Sequence, residues 1–475
     1  MKTILCKEGY LINKSSIDDS TLKKIKKSLT VKPIVKTNYS KNQEVKEFKV
    51  YQENDEYINI PKFYGLKKYG NPDENKELKG KKIKIKFKGD LRDYQKEIIK
   101  RVDSVIKEKD GGLLSVGCGK GKTVIALYLA CKYKVKTLVI VHKTFLLNQW
   151  KERIEQFTNA KVGIIQQNKI DVDDKDIVIG MLQSIAKDKY DYDIFRDFGF
   201  TIFDEAHHAP SEFFSKALPI ISSKKSLALS ATPKRNDKLE KVLFWYLGDI
   251  AYEAPPNENK DVLVKLYYYD IEHPKFKEAK LPYNGEINRP KTLNRLVDIN
   301  ERNTFILDII KELHSEKNRK ILVLSDRIDH LNLIHKELSK VGLVSDFYIG
   351  GRKQADLNEA ENAPIILGSY GMASEALDIP SLNTLVMTTP RSQVEQAVGR
   401  IIRKKTEVLP VIVDIVDELP SFKRQSFTRR NLYKKLKYKM KIFDVKDNKI
   451  VSEKFIDCGI EEEKPQESDV LFYLD

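Results

Sequence analysis

A glycine-rich run at residues 115–123 has the composition of a phosphate-binding loop. The run reads Ser-Val-Gly-Cys-Gly-Lys-Gly-Lys-Thr and lies between an apolar segment with the pattern of a strand and one with the pattern of a helix. Glycines let successive backbone N–H groups turn towards phosphate oxygens, Lys122 can reach the β- and γ-phosphates, and the Thr123 hydroxyl can ligate Mg²⁺. Val116 departs from the usual G-x-x-x-x-G-K-[ST] pattern at its first glycine. The residues that we assign to nucleotide binding here are Gly117, Cys118, Gly119, Lys120, Gly121, Lys122 and Thr123.

Two adjacent carboxylates follow another apolar segment, residues 200–203, and complement the loop. We expect Asp204 to hold Mg²⁺ together with Thr123, and Glu205 to polarise the attacking water. His207 is placed to sense the γ-phosphate. Because the motif is D-E-x-H rather than H-E-x-x-H, zinc binding is not predicted. The pattern indicates hydrolysis of a nucleoside triphosphate.

A glutamine beside an aromatic ring precedes the phosphate loop by one predicted helix. Gln95 is suited to pairing with the edge of adenine, and the Tyr94 ring can stack on the base. Arg92 is grouped with them at the start of the same helix. The position of these residues predicts a site that reads the base of ATP.

The second half of the chain contributes a glutamine and two arginines. Gln396, Arg400 and Arg403 fall in a segment predicted as a helix, where the i, i+3 spacing directs both guanidinium groups towards one cleft. A forked, permanently charged donor suits the charge that develops during phosphoryl transfer. Paired arginines on a helix are usually surface residues, but Gly399, which permits close approach, favours the catalytic interpretation here.

Polar residues follow several apolar segments, at the positions where the carboxyl edge of a parallel sheet binds ligands. Such residues could be simple helix caps, but their repeated position favours contacts to a nucleic-acid backbone. The candidates for nucleic-acid contact are His142, Lys143, Gln183, Ser184, Arg235, Asp237, Ser325 and Arg327. Ser230 and Thr232 end a further apolar segment, and we expect their hydroxyls to couple the nucleotide site to the domain interface.

The elements that must position these residues alternate between strand-like and helix-like patterns, as parallel α/β sheets require. They predict an α/β protein with two tandem parallel-sheet domains and a small N-terminal α+β domain. Within the small domain, the alternating run 82–88 predicts a half-buried strand with one cationic face. The predicted divisions are an accessory domain at 1–88, a first α/β domain at 89–255, a proline-rich linker at 256–290, a second α/β domain at 291–440 and a tail at 441–475.

The charge balance suits a polyanionic partner. Lys and Arg number 85, Asp and Glu number 69, and the formal net charge is +16. This balance fits nucleic acid or a lysine-rich solubilising surface, and composition does not separate the two. The four cysteines lack C-x-x-C spacing, so neither a zinc site nor a disulfide framework is predicted, and no apolar run approaches the ~18 residues of a membrane span. We therefore expect a soluble intracellular protein without a membrane partner.

Together these motifs resemble those of the DEAH-type superfamily 2 helicases. The order along the chain is Gln95, the phosphate loop, Asp204-Glu205-Ala206-His207, Ser230-Ala231-Thr232, Glu375-Ala376-Leu377-Asp378-Ile379-Pro380 and the run from Gln396 to Arg403. Within the superfamily, the chain is similar to the DNA-translocating helicase subunit of transcription factor TFIIH. It is still more similar to the transcript-release helicases of poxviruses and their relatives in large DNA viruses and phages.

The resemblance implies two RecA-like domains that move along a nucleic-acid strand as ATP, bound with Mg²⁺ between them, is hydrolysed. It also implies that Arg400 and Arg403 complete the site in trans, and that Glu375 and Asp378 contact the nucleotide. One departure is Ala376, which stands where relatives usually have glycine in the loop that couples strand to nucleotide.

The expected function is an ATP-dependent helicase or translocase, with DNA favoured over RNA as its substrate, in viral-type transcription such as transcript release. RNA polymerase or other transcription proteins would then be partners, and the host cytoplasm or the virion would be the location. Alternatives are the same motor acting on RNA or in DNA repair or replication, and a non-hydrolysing architectural subunit of a transcription assembly. Intact Lys122, Glu205 and Arg400 disfavour the last. The TFIIH-type subunit uses an Arg-Glu-Asp loop for DNA separation, and Asn236 stands where that loop has Glu. This difference bears on duplex unwinding rather than on translocation.

Overall fold

The computed structural model describes residues 1–34, 46–117, 119–187, 190–231, 235, 237–255, 261–375, 377, 379–402 and 408–458, without the side chains of Ser374 and Glu375. The chain forms two compact units, Met1–Pro255 and Pro256–Asp475. Within the described ranges, no helix is long and apolar enough to cross a membrane.

The first unit begins with a small, mostly antiparallel sheet and two helices. Its elements are β1 (Thr3–Cys6), β2 (Gly9–Asn13), α1 (Asp19–Ser28), β3 (Thr30–Val31), β4 (Phe48–Lys49), β5 (Gln52–Glu53), β6 (Tyr57–Ile60), α2 (Lys62–Tyr69) and β7 (Glu74–Asn75). The sheet order is β5-β6-β2-β1-β7, in which β1 and β7 run parallel and the other neighbours run antiparallel. β3 and β4 pair separately as a short antiparallel ribbon.

Two lysine side chains join this small sheet to the rest of the first unit. Lys7 Nζ donates to the carbonyl oxygens of Ile220 and Ser222 at 2.9 and 2.8 Å, and burial lowers the pKa of Lys7 to about 8. Lys62 Nζ, which is buried, donates to the carbonyl oxygen of Lys224 at 2.9 Å. These contacts fix the small sheet against the segment that precedes a central strand of the larger sheet.

The larger part of the first unit is an eight-stranded sheet with helices. Its elements are α3 (Asp93–Lys109), β8 (Gly111–Ser115), α4 (Lys122–Tyr133), β9 (Thr137–Val141), α5 (Thr144–Phe157), β10 (Val162–Gln166), β11 (Lys169–Ile170), β12 (Ile177–Met181), α6 (Leu182–Ile185), β13 (Phe200–Phe203), α7 (Glu212–Ser215), α8 (Ala217–Ile220), β14 (Lys225–Ser230), α9 (Glu240–Leu247) and β15 (Ile250–Glu253). The sheet order is β11-β10-β12-β9-β13-β14-β8-β15, with β11 antiparallel to β10 and the other neighbours parallel.

The central strands of this sheet are buried along their whole length. Strands β8, β9, β12 and β13 have no exposed residue, as expected for parallel strands whose two faces are both covered. Because neighbouring strands run parallel, their carboxyl ends meet at one edge of the sheet. That edge therefore collects the phosphate loop, the paired carboxylates and several of the predicted nucleic-acid contacts.

The second unit is another eight-stranded sheet. Its elements are β16 (Leu263–Asp270), α10 (Arg289–Val297), α11 (Asn300–Ser315), β17 (Ile321–Ser325), α12 (Ile328–Lys340), β18 (Ser345–Tyr348), α13 (Gln354–Ala360), β19 (Ile365–Ser369), α14 (Tyr370–Glu375), β20 (Thr384–Met387), α15 (Glu395–Val398), β21 (Val411–Asp417), α16 (Pro420–Lys435), β22 (Lys439–Lys446) and β23 (Lys449–Asp457). The order is β18-β19-β17-β20-β21-β16-β22-β23, with β23 antiparallel to β22 and the other neighbours parallel.

Two segments of the second unit differ from the predicted divisions. Strand β16 lies inside the range 256–290 that was expected to be a linker, and it pairs with β21 and β22 within the second sheet. Strands β22 and β23 occupy most of the described part of the predicted tail, which begins at 441. Pro274 and Pro282 lie in turns after β16, while the strand itself buries Val264, Leu266 and Tyr269 in the core.

The run 82–88 also differs from its prediction. It forms isolated bridges from Lys82 to Val135 and from Phe87 to Thr158 rather than a continuous strand. Ile85 between them is buried while its neighbouring lysines are exposed. The alternating pattern therefore belongs to an extended segment that lies on the first α/β core. One face of this segment is buried, although the segment forms isolated bridges rather than a continuous strand pairing.

Candidate functional site

The phosphate loop connects β8 to α4 with the backbone that its glycines predict. Gly119 and Gly121 both have a φ of +76°, which is accessible to glycine at little cost, and α4 begins directly at Lys122. A Cβ added at Gly117 would have no neighbour within 4 Å, so this side of the loop is open. Open space over a glycine loop at a helix N-terminus fits a triphosphate.

Val116 explains the departure from the usual loop pattern. Its side chain is buried in the core, its N–H donates to the Ser230 carbonyl at 3.3 Å, and its carbonyl oxygen accepts from Lys122 Nζ at 3.3 Å. The first position of the loop therefore continues the strand and packs as a core residue. The lysine side chain folds back over the loop, where it can meet phosphate oxygens.

The predicted adenine-reading residues lie against this loop. Gln95 is buried, its Oε1 accepts from the Arg92 N–H at 3.0 Å, and its Nε2 would lie 2.3 Å from a Cβ at Gly121. The Tyr94 hydroxyl lies 3.2 Å from Arg92 Nη1 and 3.5 Å from the Lys120 carbonyl oxygen. The structure thus brings all three residues to the phosphate loop, where the φ of +76° favours glycine at 121.

Asp204 is fixed by hydrogen bonds within the core. Trp150 Nε1 donates to Asp204 Oδ2 at 2.7 Å, and the Glu205 N–H donates to Asp204 Oδ1 at 3.0 Å. Burial and the neighbouring Glu205 charge raise the pKa of Asp204 to about 6, against the opposing effects of Trp150 and Lys122. Its carboxylate and the hydroxyl of Thr123, in the first turn of α4, are oxygen ligands of the kind that Mg²⁺ takes.

Glu205 occupies a turn that its own backbone does not favour. Its φ is +46° and ψ +50°, in the left-handed region that costs a non-glycine residue free energy. Its Oε2 is buried, accepts no hydrogen bond from the described residues, and lies 3.3 Å from His207 Nδ1. That nitrogen also lies 3.2 Å from Ser230 Oγ. A buried carboxylate oxygen that still has acceptor capacity is suited to taking a proton from water.

Trp150 is a site residue that the sequence patterns did not identify. It lies on α5, 54 positions before Asp204, and no spacing rule links the two. A tryptophan in a helix after a buried strand has the appearance of an ordinary core residue. The signal that could have found it is chemical, because a fully buried indole N–H requires an acceptor.

We expect Trp150→Phe to lower kcat for ATP about tenfold, because removing one hydrogen bond to a buried charged group costs roughly 1.5–3 kcal/mol. The indole N–H holds the pKa of Asp204 down, and the carboxylate is the form that holds a cation. Its loss should therefore move the acid limb of kcat/KM to higher pH. Steady-state ATP hydrolysis is measured from pH 5 to 8 for the wild type and for Trp150→Phe. The titration of ATP itself affects both proteins equally. Trp245→Phe serves as control, and unchanged kcat and midpoint in Trp150→Phe would contradict this role.

Comparisons with known proteins identify the chain's relatives. The family model described as "Type III restriction enzyme, res subunit" matches residues 88–235. A protein of Acanthamoeba polyphaga mimivirus named "Putative ATP-dependent RNA helicase" is 40% identical over 462 residues, which cover 94% of this chain and 88% of that protein. This chain belongs to the superfamily 2 helicases. A "Putative helicase" of Invertebrate iridescent virus 6 is 26% identical over 375 residues, covering 74% of this chain and 83% of that protein.

The fold of the helicase agrees with this assignment. A solved structure of S. cerevisiae Dbp5 bound to RNA and ADP BeF3 superimposes with a TM-score of 0.51 at 12% identity, covering 74% of this chain and 90% of that one. At that identity the likeness concerns the fold alone. The predicted mixed α/β architecture of tandem RecA-like domains is confirmed.

Some predicted nucleic-acid contacts of the first unit lie beside the turn that carries Glu205 and His207. The centroid of the His142 ring, directly after β9, lies 4.0 Å from that of the His208 ring at a tilt of 34°, and the His208 centroid lies 4.3 Å from that of His207. Gln183 Nε2 donates to the His142 carbonyl oxygen. Lys143 Nζ lies 5.9 Å from the centroid of the neighbouring Phe145 ring. The segment after β9 is thus in contact with α6 through Gln183 and with the segment that holds Glu205 through the His142 and His208 rings.

Other predicted contacts of the first unit are engaged within the protein. Ser184 Oγ accepts from the Gln167 N–H at 2.9 Å. Arg235 donates from Nε and Nη2 to the two carboxylate oxygens of Asp237, at 2.9 and 2.5 Å. The structure therefore gives these three side chains internal contacts, and their contact with nucleic acid remains a prediction.

In the second unit, Ser325 is the last residue of β17 and Arg327 lies two positions further along the chain. Ser325 Oγ accepts from the Arg327 N–H at 3.1 Å and lies 3.2 Å from His330 Nδ1. Arg327 Nε donates to Asn294 Oδ1 at 2.6 Å, and Nη2 donates to the Pro290 carbonyl oxygen at 3.1 Å. Both side chains lie at the carboxyl edge of the second sheet and are held by neighbouring elements.

The glutamine–arginine segment differs from the predicted helix. Gln396 lies on α15, which ends at Val398, so Arg400 follows the helix in a turn. Arg400 is buried and its Nη1 donates to the Leu377 carbonyl oxygen at 2.7 Å. Arg400 therefore does not lie on the helix that the i, i+3 argument assumed. Predictions for Cys118, Thr232, Asp378 and Arg403, and for the Glu375 side chain, fall outside the described residues.

Proposed function

We propose that this helicase is an ATP-driven motor that translocates along DNA in viral-type transcription, with Mg²⁺ as its cation. The observation that carries the proposal is the contact between the predicted nucleic-acid segment and the catalytic turn, through the rings of His142, His208 and His207. Hydrolysis at Glu205 and a strand held near His142 would then act on the same few side chains. The basic net charge of +16 supports a polyanionic substrate.

The residues of the first unit suffice to describe the hydrolytic step. The Lys122 ammonium would neutralise charge on the β- and γ-phosphates, and the glycine loop would donate its N–H groups to them. Mg²⁺, when bound by Thr123 and Asp204, supplies further neutralisation of phosphate charge. Glu205 would accept the proton of the attacking water, and His207, between Glu205 and Ser230, would pass on the loss of the γ-phosphate.

The proposed assignment of the second unit rests on the sequence alone. Gln396, Arg400 and Arg403 remain candidates for stabilising phosphoryl transfer, and Glu375 and Asp378 for contacting nucleotide. Transcript release, RNA polymerase as a partner, and host cytoplasm or virion as location rest on the resemblance to the transcript-release helicases and the TFIIH subunit.

A second candidate is a helicase that acts on RNA. The observation that favours it is the name of the 40% identical mimivirus relative, "Putative ATP-dependent RNA helicase". A translocation assay separates the two candidates. On duplex DNA carrying a third strand, a DNA translocase displaces that strand only during ATP hydrolysis. Displacement by wild type and not by Glu205→Gln is expected, whereas unwinding confined to RNA duplexes would favour the second candidate.

Base selection gives an independent test of the nucleotide site. We expect Gln95→Glu to raise KM for ATP about three- to tenfold, because one hydrogen bond is worth roughly 0.5–1.5 kcal/mol, and to leave KM for GTP within twofold. The glutamate keeps the Oε1 acceptor for the Arg92 N–H and replaces only the amide nitrogen. Lys96→Gln, one position along and exposed, is the control. Equal effects on ATP and GTP would show that Gln95 does not read the base.

A further inference from the structure

Arg235 uses three of its donors inside the protein. Nε and Nη2 donate to the Asp237 carboxylate at 2.9 and 2.5 Å, and Nη1 donates to the carbonyl oxygen of His207. Both side chains are about three-quarters covered, with exposures of 22% and 27%. A planar guanidinium that bridges a carboxylate and a carbonyl fixes the distance between them. The pair therefore joins the segment after β14 to the turn after β13.

The turn that receives this hydrogen bond is the one that holds Glu205. Glu205 has left-handed backbone angles, and such a conformation persists only where the surroundings hold it. His207, whose carbonyl oxygen accepts from Arg235, also places its ring beside Glu205 Oε2 and Ser230 Oγ. Arg235 thus hydrogen-bonds to the backbone of the turn that holds Glu205, through the His207 carbonyl oxygen, and does not itself contact the water-polarising carboxylate.

Asp237 carries a second connection, to the small N-terminal sheet region. Its carbonyl oxygen accepts from the Ile34 N–H at 3.0 Å, while its carboxylate accepts from Arg235 and from the Leu239 N–H at 3.2 Å. Ile34 follows β3 closely, and its side chain is 52% exposed. Burial raises the pKa of Asp237, but the hydrogen bonds from Arg235 and Leu239 outweigh it, so the pKa lies below its ordinary value. The carboxylate is therefore charged and able to hold Arg235.

We propose that Arg235 and Asp237 are positioning residues that hold the Glu205–His207 turn ready for hydrolysis, and that the Ile34 N–H links this pair to the N-terminal region. The inference rests on the proposed hydrolytic function and replaces the expectation that the two side chains contact nucleic acid. Nucleic acid or a partner that displaces the N-terminal segment would alter turnover through Asp237. Direct contact is disfavoured because three of the five guanidinium N–H donors, including Nε, are already committed within the protein.

The first experiment distinguishes an effect on kcat from an effect on the binding of ATP or nucleic acid. Asp237→Asn and Arg235→Lys should each lower kcat about tenfold, because small misplacements of catalytic groups cost rate, with KM for ATP and Kd for single-stranded DNA and RNA within twofold. Asp237→Glu, which keeps the carboxylate, should recover part of kcat. Arg196→Lys is the matched control, because Arg196 pairs with Asp193 at 3.1 Å on the exposed surface of the same unit. A weakened nucleic-acid Kd with unchanged kcat at saturating nucleic acid would overturn the proposal.

The second arm tests the backbone link. Ile34→Pro removes the N–H that donates to the Asp237 carbonyl oxygen. Ile34→Ala keeps this N–H and shortens an exposed side chain. We expect kcat to fall about threefold in Ile34→Pro, in line with loss of one backbone hydrogen bond, and to stay at the wild-type value in Ile34→Ala. Equal kcat values in the two variants would remove the N-terminal link from the proposal.

A third readout does not depend on hydrolysis. The chain has two tryptophans, and the Trp150 indole N–H donates to Asp204, next to the turn. Asp237→Asn should shift the Trp150 indole resonance in a ¹⁵N-correlated spectrum, assigned with Trp245→Phe. A wild-type protein that hydrolyses no ATP would refute the proposed function, while this shift would still report the positioning role. An unmoved Trp150 resonance in Asp237→Asn would refute the role itself.

Discussion

Glu205→Gln lowers kcat for ATP hydrolysis at least about 100-fold, since general base catalysis contributes about 10²–10⁴ in rate. The substitution keeps the size of the side chain and removes the charge that accepts a proton. Glu205 Oε2 is buried and accepts no hydrogen bond from the described residues, so the substitution breaks no such hydrogen bond at this atom. ATP affinity should change by less than threefold, because Lys122 and the glycine loop remain.

The experiment measures steady-state turnover at saturating nucleic acid and binding of a fluorescent ATP analogue. Glu212→Gln is the control, because Glu212 lies on the exposed start of α7 in the same unit and should leave both values unchanged. A kcat within tenfold of wild type in Glu205→Gln would assign the water-polarising role to another group.

Arg302→Ala destabilises the second unit by about 3–5 kcal/mol, the cost of breaking a buried ion pair by removing one partner. Arg302 Nε and Nη2 donate to the two Asp417 carboxylate oxygens at 2.6 and 2.9 Å, and Nη2 also donates to the Thr388 carbonyl oxygen at 2.8 Å. Both side chains are 0% exposed. Alanine leaves the Asp417 charge buried without its partner.

Urea unfolding followed by circular dichroism measures this loss as a lower midpoint. Lys311→Ala is the matched control on the same helix, because Lys311 pairs with Asp308 at 3.2 Å with both side chains exposed. Exposed pairs contribute about 0–1 kcal/mol, so the control midpoint should hardly move. A loss below about 1 kcal/mol in Arg302→Ala would show that Asp417 finds another partner or is neutral in the folded protein.

Local patterns were sufficient where one short segment carries the chemistry. The phosphate loop needs glycines with positive φ immediately before a helix, and the run at 115–123 has them. The carboxylates after β13 and the cluster at Arg92 to Gln95 are equally local. For these residues the sequence predicted the junctions between strand and helix or turn at which the structure places them, and their chemical roles remain predictions.

Sequence reasoning was less successful where the decisive partner is distant. The Trp150 donor to Asp204 and the Arg235 contact to His207 join segments that no periodicity relates. Strand β16 was hidden because flanking prolines resemble a linker, although its tyrosines suit a buried strand. The helix predicted to carry Arg400 ends at Val398, since apolar spacing does not fix where a short helix stops.

ATP hydrolysis by the purified full chain, with and without nucleic acid, is the measurement that tests the proposed ATP-driven motor. Turnover is measured with no addition, with single-stranded DNA, with duplex DNA and with RNA, each beside Glu205→Gln. We expect slow basal turnover, strong stimulation by DNA, and loss of both in the variant. No hydrolysis under any of these conditions would contradict the motor and leave a binding subunit that keeps the helicase fold.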